Sequence, residues 1–440
     1  MEEKDNKMEK IVSLCKRRGF VFQGSEIYGG LNGIWDYGPR GAEMVHNIKD
    51  LWWKHFVSKN EEIFGLNTAT IMSEAVWKAS GHLEDFADPM VECNKCHHRF
   101  RLDTLEVKNK CPDCGGSFGE VKKFNLLFPV SVGSVEGGSE TAYLRGEIAQ
   151  GMFVNFKNVL DTMHPELPFG LAQIGRAYRN EIAPRNFLFR VREFDLMEFE
   201  YFVREGEWEK YFEKWRKEVW SWIEKVGIEK KFVMELEVSA DDRAHYSKRT
   251  IDFQFEFPFG NKELYGLAYR TDYDLKRHSQ SSGVDQNYTD PQTGEKFIPH
   301  VIEPTFGLGR TLLAVLCSAY TEDEMGGEKR EFLKLDPKIA PVKIAVFPLL
   351  KNKPELVKKA RKIYEELREK FIAVEFDDNG NIGKRYRRQD EIGTPFCVTI
   401  DFNTLDTHDL TVTVRNRDTG KQEKIGQAEL ASYFSEKFGL

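Results

Sequence analysis

The chain has 440 residues, 40% hydrophobic and 31% charged, with Gly 35 and Pro 16, which excludes collagen-like, low-complexity and wholly disordered classes and leaves room for about two to four domains. The formal net charge of −7 argues against a generally basic nucleic-acid-binding surface but allows a local one. No run of about 18 apolar residues occurs and the N-terminal MEEKDNKMEK is polar, so a cytoplasmic protein without a membrane span or secretory leader is expected.

Residues 5–18 place Met8, Ile11, Val12, Leu14 and Cys15 at helical spacing, ended by Gly19. The glycine-rich GSEIYGGLNGIWDYGPRG (24–41) reads as tight turns around short strands. Pro39 then opens a helix with Met44, Val45, Ile48, Leu51, Trp52 and Phe56 on one face, suited either to core packing or to a subunit interface. Cys93-x-x-Cys96 and Cys111-x-x-Cys114, the second pair followed by Gly115 and Gly116, are two tight turns whose four thiolates can close a tetrahedral shell. Zn²⁺ in a structural role is the expected ion. Free thiols, another metal, or ligation by His97 or His98 are the alternatives.

From 121 to 205, runs such as FNLLFPV and LFRVREFDLMEFEYF alternate as antiparallel strands do. Arg176, Arg179, Glu181, Arg185, Arg190, Arg192, Glu193, Glu198 and Glu200 crowd into 25 residues of this region. On a strand, Arg190 and Arg192 share one face, and so do Glu198 and Glu200. Such a surface offers guanidinium forks to phosphates and carboxylates to an ammonium group, or else forms a ladder of cross-strand ion pairs. Trp208, Tyr211, Phe212, Trp215, Val219, Trp220 and Ile223 mark a packing helix, followed by strand-like TIDFQFEFPF and KELYGLAYR. VIEPTFGLGR runs into the apolar helix TLLAVLCSAY, which puts Gly307, Gly309 and Arg310 at a helix start that favours anions. With no GxxxxGK[ST] and no GxGxxG after a strand, a triphosphate here would be held by arginines.

Residues 321–342 are polar and Pro-punctuated and read as a linker. Beyond them come VKIAVFP, a helix with Leu356, Val357, Ala360, Ile363, Tyr364 and Leu367, and the strands FIAVEF, PFCVTIDF and DLTVTVRNR. They describe an α/β domain of about 100 residues with parallel pairing at its start. Its basic cluster GKRYRRQDE, with Arg415 and Arg417 of RNR, is either a nucleic-acid contact or solvated loop charge.

Taken together, YGPRG with its long helix, AYRNEIAPRNFLFRVREFDLMEFE and VIEPTFGLGR resemble the three signature motifs of class II aminoacyl-tRNA synthetases. GSEIYGGLNGIWDYGPRG, RGEIAQGMFVNF, YRTDYDLKRHSQ and GKRYRRQDEIGTPFCVTID narrow the resemblance to the homodimeric glycyl-tRNA synthetases, over about residues 8 to 425. The resemblance implies an α+β fold with a six- or seven-stranded antiparallel catalytic sheet flanked by helices in residues 1–335. It further implies a zinc-knuckle insertion at 93–114 and an α/β anticodon-binding domain at 336–440. The implied activity is that of a glycine–tRNA ligase: ATP, with Mg²⁺, activates glycine to glycyl-adenylate and pyrophosphate, and the glycyl group passes to the 3′ end of tRNA(Gly).

By the same resemblance, Arg179 and Arg310 are the catalytic pair, Arg179 on the α-phosphate, with Arg190 and Arg310 on the outer phosphates. Phe194 stacks on adenine, Glu181 lies near its amino group, and Asn180, Phe189, Val191, Arg192, Glu193, Glu263, Leu264, Gly307 and Gly309 complete the nucleotide site. Glu147, Glu198 and Glu303 surround the glycine ammonium, with the Thr305 hydroxyl and Arg101 nearby. Arg385, Arg387, Arg388, Arg415 and Arg417 are the implied anticodon contacts. The chemistry is consistent, since joining two anions demands positioning and charge neutralisation. A pocket walled against Cβ rejects alanine, and no smaller amino acid exists to slip in, so no editing domain is needed. The family usually has proline at Gly146, serine at Thr305 and asparagine at Tyr269. Two other readings are a non-catalytic nucleic-acid-binding relative, which would not need Arg179, Glu181, Phe194 and Arg310 together, and a synthetase for threonine, proline or histidine, whose text around the first and third motifs differs.

Overall fold

The computed structural model describes residues 2–105, 107–133, 140–406 and 410–439. Its main sheet contains β1 (Ile63–Gly65), β2 (Phe169–Tyr178), β3 (Glu193–Val203), β4 (Val233–Glu237), β5 (Arg249–Phe257), β6 (Gly260–Thr271) and β7 (His300–Gly307), in the order β4-β5-β6-β7-β3-β2-β1. Every neighbouring pair is antiparallel except the edge pair β1 and β2, which is parallel. Strand alternation sorts the faces. On β3, Met197, Phe199 and Tyr201 enter the main core, while Leu196 and Phe202 belong to a second core on the opposite face, which by parity is also the face of Glu198 and Glu200.

The helices that frame this sheet are α1 (Glu2–Arg17), α2 (Pro39–Phe56), α3 (Ala149–Val154), α4 (Trp208–Lys225), α5 (Tyr273–Ser282) and α6 (Leu308–Ala319). Helices α1, α2, α4 and α6 pack on the first face, and α3 and α5 on part of the second. The stripe Met44, Val45, Ile48, Trp52 and Phe56 of α2 is buried within the chain, so core packing is what these side chains do. Trp52 meets Phe56, Phe199 and Phe306 at centroid distances of 5.4, 6.4 and 6.0 Å; truncating so large a buried ring costs about 3–5 kcal/mol.

The stretch expected as a linker contains a hairpin instead, β8 (Tyr320–Met325) and β9 (Glu328–Leu333), with Met325 paired to Glu328. Gly326 and Gly327 take φ of 64° and 80°, the two positive values that a two-residue hairpin turn demands. The high charge of the strands conceals their alternation. One side chain, Arg330, is buried and bonded to Asp323, to Asp390 at 3.1 Å and to the Arg417 carbonyl at 2.7 Å.

The C-terminal sheet comprises β10 (Ile344–Pro348), β11 (Val374–Phe376), β12 (Phe396–Ile400), β13 (Thr411–Asn416) and β14 (Gln422–Gly426), ordered β11-β10-β12-β13-β14. Its opening pairs are parallel and the rest antiparallel. Asp409, where the last of the expected strands begins, lies outside the described residues. Helices α7 (Pro354–Lys370) and α8 (Ile382–Ile392) belong to this part. It is tied to the N-terminal part by Arg40 to Glu375 at 3.1 Å, by Arg18 to Glu391 and by the Arg330 network. Among the described residues no helix is long and apolar enough to cross a membrane.

Candidate active site

A cleft of about 580 Å³ opens on the second face of the sheet over β3, β7 and β6. Register decides what it presents: Glu198 lies opposite Thr305, Thr305 opposite Gly266, and Glu303 opposite Ala268. Gly266 and Ala268 keep β6 low beneath the cleft, and a Cβ on Gly266 would meet nothing nearer than 4.0 Å. Space is therefore provided at the point where the carboxylates converge.

One end is rich in arginine. Arg179 follows β2; its Nε donates to the Gly146 carbonyl at 3.0 Å, and its guanidinium lies between the Phe86 and Phe194 rings at 5.0 and 5.3 Å. Arg310, in the first turn of α6, donates to the Glu263 carbonyl at 3.0 Å, pairs with the Glu263 carboxylate at 3.0 Å and covers the Phe189 ring at 4.5 Å. Arg190 stands 3.5 Å from Glu181. The loop returning it to the cleft turns at Asn186 and Phe187, both at positive φ. Arg310 holds the Glu263 carboxyl below the usual range. Burial, with Glu263 beside it, pushes Asp252 up to about 6.

The other end is rich in carboxylate. Thr305 Oγ1 donates to Glu198 Oε1 at 2.6 Å. Fully buried Arg270 donates to Glu303 at 2.6 Å and twice to Asp274 at 2.8 Å, with its guanidinium 3.7 Å from the centre of the Tyr246 ring. Glu147 accepts from Gln150 at 2.9 Å and lies 3.1 Å from His82 Nε2. Burial pushes Glu198 and Glu303 up, Glu198 also through Glu303 and Glu147. Burial acts the same way on Glu147, yet His82 and Arg270 hold it well below the usual range. Several carboxylates thus share one guanidinium in a poorly solvated place, an arrangement that favours an incoming cation.

Most residues expected at the site line this one cleft: Arg101, Glu147, Arg179, Glu181, Phe189, Arg190, Val191, Phe194, Glu198, Glu263, Leu264, Glu303, Thr305, Gly307, Gly309 and Arg310. Asn180, Arg192 and Glu193 do not. The Asn180 N–H is bonded to the Leu126 carbonyl, Arg192 donates to the carbonyls of Asn32 and Glu181, and Glu193 pairs with Arg176. Arg190 and Arg192, expected on one strand face, precede β3 and diverge, because the strand starts only at Glu193. Arg270, Asp88, Tyr246 and Arg243 escaped the sequence reading. Arg270 was within reach of it, being two residues past Ala268 on the same face of β6, whereas the loop carrying Arg243 and Tyr246 has no periodicity to read.

The departures at Gly146 and Tyr269 acquire physical contexts. A Cβ at Gly146 would lie 2.8 Å from Leu127 and 3.0 Å from Phe86, the ring beneath Arg179. Tyr269 points away from the cleft, stacked on Trp208 at 4.1 Å and 3° and bonded to His300 Nδ1 at 2.5 Å.

The four cysteines meet at the end of a small sheet built from Ala87–Glu92, Arg99–Arg101 and Lys122–Asn125. Cys93 and Cys114 sulfurs are 3.5 Å apart, those of Cys96 and Cys111 3.6 Å, and all four lie within 4.8 Å of one another. Tetrahedral Zn–S bonds of about 2.3 Å require sulfurs separated by about 3.8 Å, so the set fits. Backbone N–H groups of Cys96 and Lys95 bring the Cys93 thiol down, whereas the Cys96 and Cys111 thiols are raised. The same sheet carries Arg101, 2.9 Å from Asp88, into the cleft.

In the C-terminal part, three of the five expected RNA contacts are buried. Arg385 donates to the carbonyls of Pro348, Asp378 and Gly380, Arg415 grips Asp390, and Arg417 donates to the Gly393 carbonyl. Arg387 and Arg388 keep partly exposed guanidiniums paired with Glu328 and Asp377.

Comparison with known proteins gives two domain matches: the tRNA synthetase class II core domain (G, H, P, S and T) over residues 134–319 and the anticodon binding domain over 343–437. The chain is 47% identical to the glycine–tRNA ligase of Caldanaerobacter subterraneus subsp. tengcongensis over 98% of both chains. It is 47% identical to that of Treponema denticola over 98% of this chain and 97% of the relative, and 48% identical to that of Clostridium acetobutylicum over 99% of both.

Proposed function

Because the chain belongs to the glycine–tRNA ligases and has a class II synthetase core, we propose that the cleft over β3, β6 and β7 is where glycine and ATP meet. The observation that carries this reading is the polarity of a single cavity, with Arg179, Arg190 and Arg310 at one end and Glu147, Glu198 and Glu303 around one guanidinium at the other. The glycine ammonium enters the carboxylate end, near the Thr305 hydroxyl. Its carboxylate then lies toward Arg179, which stabilises charge on the α-phosphate as the carboxylate oxygen attacks and pyrophosphate leaves. No proton need be removed in this step. Phe194 and Phe189 offer rings beside Arg179 and Arg310 against which a base can stack. Asp252 and Glu263, beside Arg310, are hard oxygen donors suited to Mg²⁺. When bound, that ion neutralises charge on the departing pyrophosphate. The glycyl group then passes to the 3′ end of tRNA(Gly).

In this reading residues 1–335 form the catalytic unit and 336–440 the anticodon-binding unit of a cytoplasmic enzyme. Cys93, Cys96, Cys111 and Cys114 hold a structural Zn²⁺ that fixes the sheet bearing Arg101. RNA contact falls to Arg387 and Arg388, since the other arginines are spent on internal bonds. A homodimer is supported by exposed Ile27, Tyr28 and Leu31, 89%, 87% and 55% accessible, clustered in the turn-rich segment before α2.

The test is pyrophosphate exchange into ATP with glycine, alanine and serine side by side. Exchange with glycine alone, abolished in Arg310→Ala, is expected. Equal exchange with alanine, or full activity in the variant, would overturn the assignment.

A further inference from the structure

Beneath the carboxylate end lies a side chain that the proposed reaction does not use. Glu200 follows Glu198 by one turn of the pleat on the same face of β3 and is fully buried, and neither of its carboxylate oxygens has a hydrogen-bond partner. The second oxygen of Glu198 is likewise unpartnered. Carboxylate oxygens of Glu198, Glu200 and Glu303 lie within 4.8 Å of one another. Of the three only Glu303 has a cation, Arg270 at 2.6 Å; burying Glu198 and Glu200 in the ionised form beside it is costly, and a carboxyl so placed keeps its proton until a positive charge arrives.

Two other basic groups nearby are engaged elsewhere: buried Arg145, whose charge reaches Glu198, donates to the carbonyls of Arg176, Thr68 and Ala69 and to the Thr68 hydroxyl, and His82 lies against Glu147 at 3.1 Å. From β2 the residue opposite Glu200 is apolar Leu171. From β7 comes Glu303, from β6 Arg270, from α5 Asp274 and His278, and from α3 Gln150, with Glu147 just before that helix. Arg270 is already committed to Glu303 and Asp274. His278 is bonded to Gln150, and burial holds its imidazole below the ordinary value, so it adds no cation. Burial, then Glu303, pushes the Glu200 carboxyl well above the usual range, in agreement with the geometry.

We propose that Glu200 is a positioning residue of the amino-acid pocket, holding a proton while the pocket is empty and releasing it to solvent when the substrate ammonium enters, so that an added carboxylate charge grips the ammonium through the Glu198 layer. This rests on the reading of the cleft as the glycine site. The exchange balances: one ammonium enters, one carboxylic O–H bond breaks, and one proton leaves to buffer. Binding is therefore linked to pH, and affinity for glycine rises as pH rises.

The full-length chain tests this by calorimetric titration with glycine at about pH 7 in phosphate and in Tris, whose different ionisation enthalpies reveal the number of protons released. Release of a substantial fraction of one proton is expected in the unaltered protein, and little or none in Glu200→Gln. The variant should also bind glycine about tenfold more weakly near pH 8, the loss narrowing toward pH 6, where the native carboxyl also keeps its proton. A merely structural role would lower affinity equally at every pH. Should the glutamine variant fail to fold, the proton count of the unaltered chain and of Glu200→Asp decides. Glycine binding without proton release, or with undiminished release in Glu200→Gln, overturns the inference and leaves the site assignment standing. No glycine binding at all refutes the assignment itself.

Discussion

Replacing Arg270 by methionine should expose how the carboxylate end is held together. The side chain is fully buried and makes three charged bonds of 2.6–2.8 Å, to Glu303 and Asp274. Methionine keeps much of the volume but leaves two buried carboxylates facing each other without a cation. Breaking a buried pair from one side costs about 3–5 kcal/mol. A second route gives the same size: a carboxyl that escapes by taking a proton at about pH 7, some three units above its ordinary value, costs about 4 kcal/mol. The sign of the pH dependence follows. The native variant then binds a proton that the unfolded chain lacks, so its stability falls as pH rises, by about 1.4 kcal/mol per unit relative to the unaltered protein. Urea unfolding followed by tryptophan fluorescence at about pH 6 and pH 7.5 should show a deficit roughly 2 kcal/mol larger at the higher pH. Adding Asp274→Asn to the variant should recover part of the loss. A deficit below about 1 kcal/mol, or one indifferent to pH, would show that Arg270 does not balance these carboxylates.

Thr305→Ala removes the donor that Glu198 accepts at 2.6 Å and should lower kcat/KM for glycine by about tenfold or more, whereas Thr305→Ser should largely retain it; steady-state exchange kinetics separate the two. Stripping the proposed zinc with a chelator, or Cys93→Ser, should loosen the sheet that carries Arg101 and Asp88 and raise KM for glycine more than for ATP, with zinc content measured by mass spectrometry on the same samples. Arg387→Ala with Arg388→Ala should weaken tRNA charging, reduce the salt slope of tRNA binding by about two and leave glycine-dependent exchange intact. Arg385→Ala should instead destabilise the C-terminal domain by about 1–3 kcal/mol, because it strands buried carbonyls of Pro348, Asp378 and Gly380.

Much of this molecule was legible in its sequence because local patterns dictated it. Period-two alternation put Glu198 and Glu200 on one face of β3, the cysteine spacing brought four sulfurs together, and Gly307 before α6 with Gly309 in its first turn marked the helix start that carries Arg310 to the cleft. Tertiary structure decided everything that depends on which strand lies beside which. Parity gives Arg190 and Arg192 a common face only if a strand has begun, and it begins at Glu193, after both. Arg385, Arg415 and Arg417 read as a basic surface, but a guanidinium is interchangeable between phosphate and carbonyl until packing supplies the acceptor, and here β10, α8 and the loop after it do so. The pairing of β3 with β7 and of β7 with β6 is what assembles Glu198, Thr305, Glu303 and Arg270 into one pocket, Thr305 lying 107 residues from Glu198 and Glu303 33 residues from Arg270. Charge balance in a buried site is a property of that assembly, since solvation and neighbouring charge exist only once the strands are side by side.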